Sequence, residues 1–152
     1  MIDAQVAIAL TVGLAAAAED IARRRISNWI PITAFVAGFC CLTFNRGWRG
    51  AASSASGAVA GFLVFLIFYC LGGMGGGDVK LMAGLGAVVG IERVLPAALW
   101  TAALGGIFAA LCIAIAAARS LWTRTPASGG PMKSIPYAPA IAIGTWLALL
   151  PR

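Results

Sequence analysis

Along this chain, long apolar runs alternate with short polar breaks that hold nearly all of the charge. Residues 4–18 are apolar and alanine-rich, and Glu19, Asp20 and the run Arg23-Arg24-Arg25 follow them. The pattern predicts a retained first helix rather than a cleaved signal, because Asp3 stands where a signal peptide would carry basic residues. A second apolar run covers 29–44, with Asn28 placed to cap it and Pro31 tolerable in its first turn. After Arg46 and Arg49 comes a third run, 51–71, in which Ser53, Gly57 and Gly61 recur at four-residue spacing. Such a small-residue face lets helices approach closely in lipid, and we read it as packing.

The fourth run, 81–91, is the least regular. Its 11 residues make only about 16 Å of helix, too little to cross a ~30 Å hydrocarbon core. It either extends backward through the glycines and Asp78, or runs on past Glu92 and Arg93. A fifth run, 94–118, is ample. The stretch 119–134, with Pro126, Gly129, Gly130 and Pro131, reads as a loop, and 135–150 is the sixth and last span.

Composition supports a lipid environment. The 152 residues are 61% hydrophobic and 11% charged, and mean hydropathy is +0.95. The reading is an all-α, polytopic membrane protein of about six helices, with membrane lipid as a partner. The net charge of +6 lies in short loops between apolar runs. That is the pattern of topology determinants, so no nucleic-acid partner is expected. Arg23, Arg24, Arg25, Lys80, Arg119, Arg124 and Lys133 fall on one side of a six-span layout, and Arg46, Arg49, Arg93 and Arg152 on the other. The richer side is expected to be cytoplasmic and the N-terminus external. Asp20 and Asp78 then lie at cytoplasmic helix ends.

Histidine is absent, which excludes Ser-His-Asp and Cys-His nucleophile pairs and zinc sites of the His-Glu-x-x-His type. Cys40, Cys41, Cys70 and Cys112 lie inside apolar runs without Cys-x-x-Cys spacing. They are expected to be buried, with neither a zinc site nor a disulfide framework. No metal or cofactor is expected.

Candidate chemistry centres on Leu71-Gly72-Gly73-Met74-Gly75-Gly76-Gly77-Asp78-Val79-Lys80-Leu81. An ionisable residue between membrane spans is costly and suggests function. No Gly-Lys-Ser/Thr follows the glycines, so this is not a phosphate loop. Paired with Asp20, Asp78 could hydrolyse a peptide bond. One carboxylate takes a proton from water, the other donates to the carbonyl, and the two share a proton. Glycines before Asp78 leave room for a substrate backbone. From spacing alone, other readings stay open: Asp78 as the cap of the fourth helix, Asp20 as a solvated acid, a proton-relaying transporter subunit, or a scaffold.

Gly75-Gly76-Gly77-Asp78, followed by Val79-Lys80-Leu81, resembles the Gly-x-Gly-Asp motif of the type IV prepilin peptidases, which are polytopic aspartic peptidases. Asp20 ahead of Arg23-Arg24-Arg25-Ile26-Ser27-Asn28 matches the spacing of that family's first catalytic aspartate. Ile135-Pro136-Tyr137-Ala138-Pro139-Ala140 is similar to its last-helix motif. The resemblance implies that Asp20 and Asp78 are catalytic, with Gly75, Gly77, Lys80, Asn28, Pro136 and Tyr137 as motif-supporting or substrate-binding residues. It implies removal of leader peptides from prepilins or pseudopilins at the cytoplasmic membrane, with pilus assembly machinery as a further partner. Larger members carry an N-terminal segment with paired cysteines and methylate the new N-terminus. Residues 1–152 resemble the short, peptidase-only members, including those serving Flp/Tad pili, so methyltransferase activity is not expected. Ser27 departs from the proline often found there, which suggests a looser turn.

Two finer expectations concern the acids. Asp20 ends a helix, where the dipole disfavours negative charge, and Asp78 begins one, which assigns the charge to Asp78 and the shared proton to Asp20. Glu19 points about 100° away from Asp20 on a helix and is expected to help accept a basic leader.

Overall fold

The computed structural model describes residues 4–123 and 137–150, and among them all regular structure is α-helical. Five helices follow one another: α1 (Ala4–Arg23), α2 (Trp29–Cys70), α3 (Gly76–Val89), α4 (Ile91–Thr123) and α5 (Ala138–Leu149). α1, α2 and the 25-residue stretch Ile91–Ile115 of α4 are long and apolar enough to cross a membrane. The surface they share is apolar, with Phe44, Trp48 and Ile107 among its most exposed side chains. Such a surface suits lipid and not water.

α2 is not one rod. Gly47 takes φ 61° and ψ −144°, a combination open to glycine and strained for other residues. The helix breaks there into two arms, 29–46 and 48–70. At ~1.5 Å per residue the arms are roughly 27 and 35 Å long, which matches the second and third expected runs. Their direction follows from what they touch. The first arm brings Pro31 and Ala34 to Gly84 and Gly38 to Val88, whereas the second brings Gly61 to Met82 and Gly57 to Gly86 and Gly90. One arm ascends α3 as the other descends it, so α2 is an antiparallel hairpin clasping α3.

That makes α3 the centre of the molecule. Val79, Leu81, Met82, Leu85, Ala87, Val88 and Val89 are all buried, and α3 touches every other helix. Small residues make the clasp close. A Cβ at Gly61 would lie 2.6 Å from the Met82 carbonyl oxygen, and one at Gly38 2.6 Å from the Val88 nitrogen. Ser54 Oγ donates to the Ala87 carbonyl at 2.8 Å. The face Ser53, Gly57, Gly61 is therefore a packing face, as its spacing predicts.

The fourth run resolves in favour of backward extension. α3 starts at Gly76 and includes Asp78. It ends because Gly90, at φ 75°, turns the chain before α4 restarts at Ile91. At 14 residues, α3 is about 21 Å long and does not span a ~30 Å core alone.

The outer helices are registered by specific contacts. Trp146 Nε1 donates to the Ala9 carbonyl (2.9 Å) and Gln5 Nε2 to the Val88 carbonyl (2.9 Å). Gly144 packs on Thr101, and Gly105 on Tyr137. α5 is thus antiparallel to α1 and α4, and α1 antiparallel to α3. The burial expected of the cysteines fails for three of the four: Cys40 and Cys70 are exposed and Cys41 half-buried, all three free, while the side chain of Cys112 lies outside what is described. Apolar helices in lipid show apolar side chains outward as readily as inward, so an apolar setting did not predict burial.

Candidate functional site

The helix register gathers five chain segments at one end of the bundle: the end of α1, the start of α2, the segment after α2, the start of α3 and the start of α5. Between them lies a cleft of about 510 Å³, lined by both Asp20 and Asp78 together with Arg24, Arg25, Ile26, Asn28, residues 72–77, Lys80 and Tyr137.

Asp20 sits in the last turn of α1 and is only 8% exposed. Its Oδ2 accepts a hydrogen bond from the Ala138 backbone N–H at 3.1 Å, the first amide of α5. Asp78 is 7% exposed and occupies the third position of α3. Its Oδ2 accepts from the N–H of the N-cap residue Gly75 at 3.1 Å, the carboxylate half of a capping box, whose other half a glycine cannot supply. Asp78 is therefore not itself the cap of α3. The two acids use one device: each fastens one oxygen to an amide at a helix N-terminus, where negative charge is favoured. Oδ1 of each has no hydrogen-bond donor among the described residues. Both carboxyl groups line the same cleft. The dipole contrast expected from sequence is lost, because Asp20 ends one helix and also meets the beginning of another.

The glycines are explained by space. Gly75 has φ −82° and ψ 153°, and 76 and 77 are helical, a backbone any residue can adopt. A Cβ at Gly76 or Gly77 would approach no atom closer than 3.4 Å. Side chains there would not clash with the protein; they would fill the cleft. Only Gly72, at φ 75°, is required by its conformation.

Asn28 does not cap α2, since its side chain makes no cap hydrogen bond. Its Oδ1 instead accepts from Lys80 Nζ at 3.0 Å, which ties the start of α2 to α3 on the cleft wall. Glu19 stands outside the cleft. Its Oε2 accepts from the Ser27 N–H at 2.9 Å, its Oε1 from the Ser27 hydroxyl, and Arg23 lies 3.7 Å away. With these partners Glu19 is not a spare acid for a basic leader, and the α1–α2 turn is pinned rather than loose. The same turn holds Arg24 at φ 52°, a left-handed conformation that its surroundings must enforce. Tyr137 lies on the cleft wall, its ring against Gly105. Pro136 lies outside the described residues.

Sequence reasoning missed Ala138, Ser27, Arg24 and Gly105. An amide donor such as that of Ala138 carries no side-chain signal, and the Glu19–Ser27 pair spans eight positions without a helical repeat. Among the described residues, no three His, Cys, Asp or Glu side chains gather as metal ligands.

Residues 7–110 match the family model described as the type IV leader peptidase family, a span that includes both aspartates. The chain is also 38% identical over 96 residues to the prepilin leader peptidase/N-methyltransferase of Bacillus subtilis (strain 168). That alignment covers 62% of this chain and 34% of the relative, so the chain spans about a third of the relative's length. No solved structure shows significant similarity. With the family match running over more than half of its length, from the first helix into α4, this membrane protein belongs to the type IV leader peptidase family.

Proposed function

We propose that this chain is an aspartic endopeptidase that removes the leader peptide from Flp-like prepilins or pseudopilins at the cytoplasmic face of the membrane. The observation that carries the reading is the shared cleft: Asp20 and Asp78, from different helices, line it together, and among the described residues neither Oδ1 has a hydrogen-bond donor. A water between the carboxylates is the nucleophile. The ionised aspartate takes a proton from it as its oxygen bonds to the scissile carbonyl carbon, and the protonated one gives its proton to the carbonyl oxygen. The resulting gem-diol collapses. The first aspartate then protonates the leaving nitrogen as the C–N bond breaks, and the second recovers a proton from a diol hydroxyl. The pair ends with one shared proton, as it began.

Three features support the assignment. The cleft lies at a bundle end, where water can enter, and residues 75–77 keep its wall free of side chains. Arg24, Arg25 and Lys80 stand at the same end, while Arg46 pairs with Glu92 at the other (3.3 Å). That separation favours a cytoplasmic cleft and an external N-terminus. The Bacillus subtilis relative is named for methyl transfer as well; the activity proposed for this chain is peptide hydrolysis.

The test is co-expression with a Flp-type prepilin, with leader removal and any added methyl group read by mass. Wild type is expected to cleave. Asp20→Asn and Asp78→Asn are expected to insert in the membrane and fail to cleave. Cleavage surviving either change would remove that aspartate from the mechanism, and a gradient-driven flux lost in the same variants would favour a transporter.

A further inference from the structure

The cleft does not end at the aspartates. At the Asn28–Lys80 hydrogen bond it continues into a second, apolar groove of about 410 Å³, which shares those two residues as its rim. Pro31, Ile32 and Phe35 of the first α2 arm form one wall, Phe62 of the second arm the other, and Ala83 and Gly84 of α3 the floor. The groove exists because α3 is clasped so closely. A Cβ at Gly84 would lie 2.5 Å from the Pro31 carbonyl oxygen and 3.0 Å from Ala34 Cβ, so a side chain there would not fit between floor and wall. From Asn28 to Phe35 it descends about 10 Å along the helix axis, away from the charged end and into the depth of the bilayer. It opens sideways, since Ile32, Phe35 and Phe62 are 59%, 40% and 40% exposed.

We propose that this groove seats the apolar, membrane-embedded segment of the substrate, whose adjoining polar residues cross the Asn28–Lys80 rim to place the scissile bond between Asp20 and Asp78. The assignment rests on the peptidase reading and adds a location to it. Continuity is the reason. A substrate with one end in the bilayer and its cleavage point at a bundle end needs an apolar path joining the two, open to lateral entry. A helix laid along the groove would set side chains from two turns into it. The cleft has a second apolar continuation, past Tyr137, between Phe65, Phe68, Thr101 and Ala102. At about 190 Å³ it has room for a side chain and not for a helix face.

Disulfide trapping separates the two paths. Full-length enzyme with its native cysteines replaced by serine would carry one cysteine, at Ile32 or Phe35 in the groove, or at Ala102 in the second opening. The partner is a Flp-type prepilin with single cysteines placed along its apolar segment. Cleavage by the wild type in the same membranes is read first, and its absence would overturn the peptidase reading itself. With cleavage established, oxidative cross-links from Ile32→Cys and Phe35→Cys, advancing along the substrate with depth, are the expected result. Cross-links from Ala102→Cys alone, or none at all because lipid fills the groove, would overturn the docking assignment and leave the peptidase intact. Ala83→Leu, which narrows the floor, is expected to raise KM roughly tenfold with kcat nearly retained, as for lost uniform binding. An unchanged KM would also overturn the assignment.

Discussion

Asp20 Oδ2 accepts the first amide of α5 from Ala138 at 3.1 Å, so a carboxylate that ends one helix begins another 118 positions later. The proposed catalytic acid is therefore also a structural cap. Asparagine keeps an acceptor oxygen there and alanine does not. Asp20→Asn should abolish cleavage with little loss of stability, while Asp20→Ala should in addition destabilise the fold by about 1 kcal/mol, the usual worth of a helix cap. Thermal unfolding in detergent, beside the cleavage assay, separates the two effects.

Two carboxylates in one cleft that exchange a single proton work only while that proton is present and unpaired. Adding a second proton removes the base, and losing the first removes the acid. The rate of leader removal should therefore fall on both sides of an optimum. A profile with only one limb between mildly acidic and alkaline pH would show that just one of the aspartates titrates in catalysis.

Glu19 holds the α1–α2 turn through Ser27 and does not line the cleft. Glu19→Ala should lower the midpoint of thermal unfolding, because two hydrogen bonds that fasten the turn are lost. Cleavage should drop by several-fold and persist, because Arg24, Arg25 and Asn28 follow the turn it fastens. Complete loss of cleavage in a variant that still folds would make Glu19 part of the active site.

The clasp around α3 should be intolerant where it is closest. Gly61→Val directs a side chain at the Met82 carbonyl and should cost about 3 kcal/mol or more as overpacking. Gly106, whose added Cβ would meet nothing within 4 Å, should accept alanine with a gain of roughly 0.5–1 kcal/mol from helix propensity. Denaturation of the two variants side by side checks the contrast.

The proposed orientation predicts opposite labelling of two arginine positions. In a background without native cysteines, Arg49→Cys should react with an impermeant maleimide in intact cells. Arg25→Cys should react only after the membrane is opened. The reverse pattern would put the cleft outside.

Much of this architecture was legible because it rests on local quantities. The lengths of apolar runs, the lone acid after Gly75-Gly76-Gly77 and the absence of histidine are properties of neighbouring residues. So is the spacing of Ser53, Gly57 and Gly61. The fourth run shows where local quantities stop: it is too short to cross alone, as its length indicated, but its length said nothing of its surroundings. Judged by its own length it was the weakest span, yet α3 is the most enclosed helix, because its burial is supplied by the two arms of α2.

The sequence alone determined an all-helical membrane protein, the order of its apolar segments and the two aspartates to examine, since hydrophobicity and the cost of a charge in lipid act wherever a residue sits. Only the tertiary structure decided that Asp20 and Asp78 share a cleft, that Asn28 serves Lys80 and not its own helix, and that Ala138 holds Asp20. These partners lie 52 and 118 positions apart. What joins them is the register of packed helices, set by many close backbone contacts at once, and no local pattern along the chain encodes that sum.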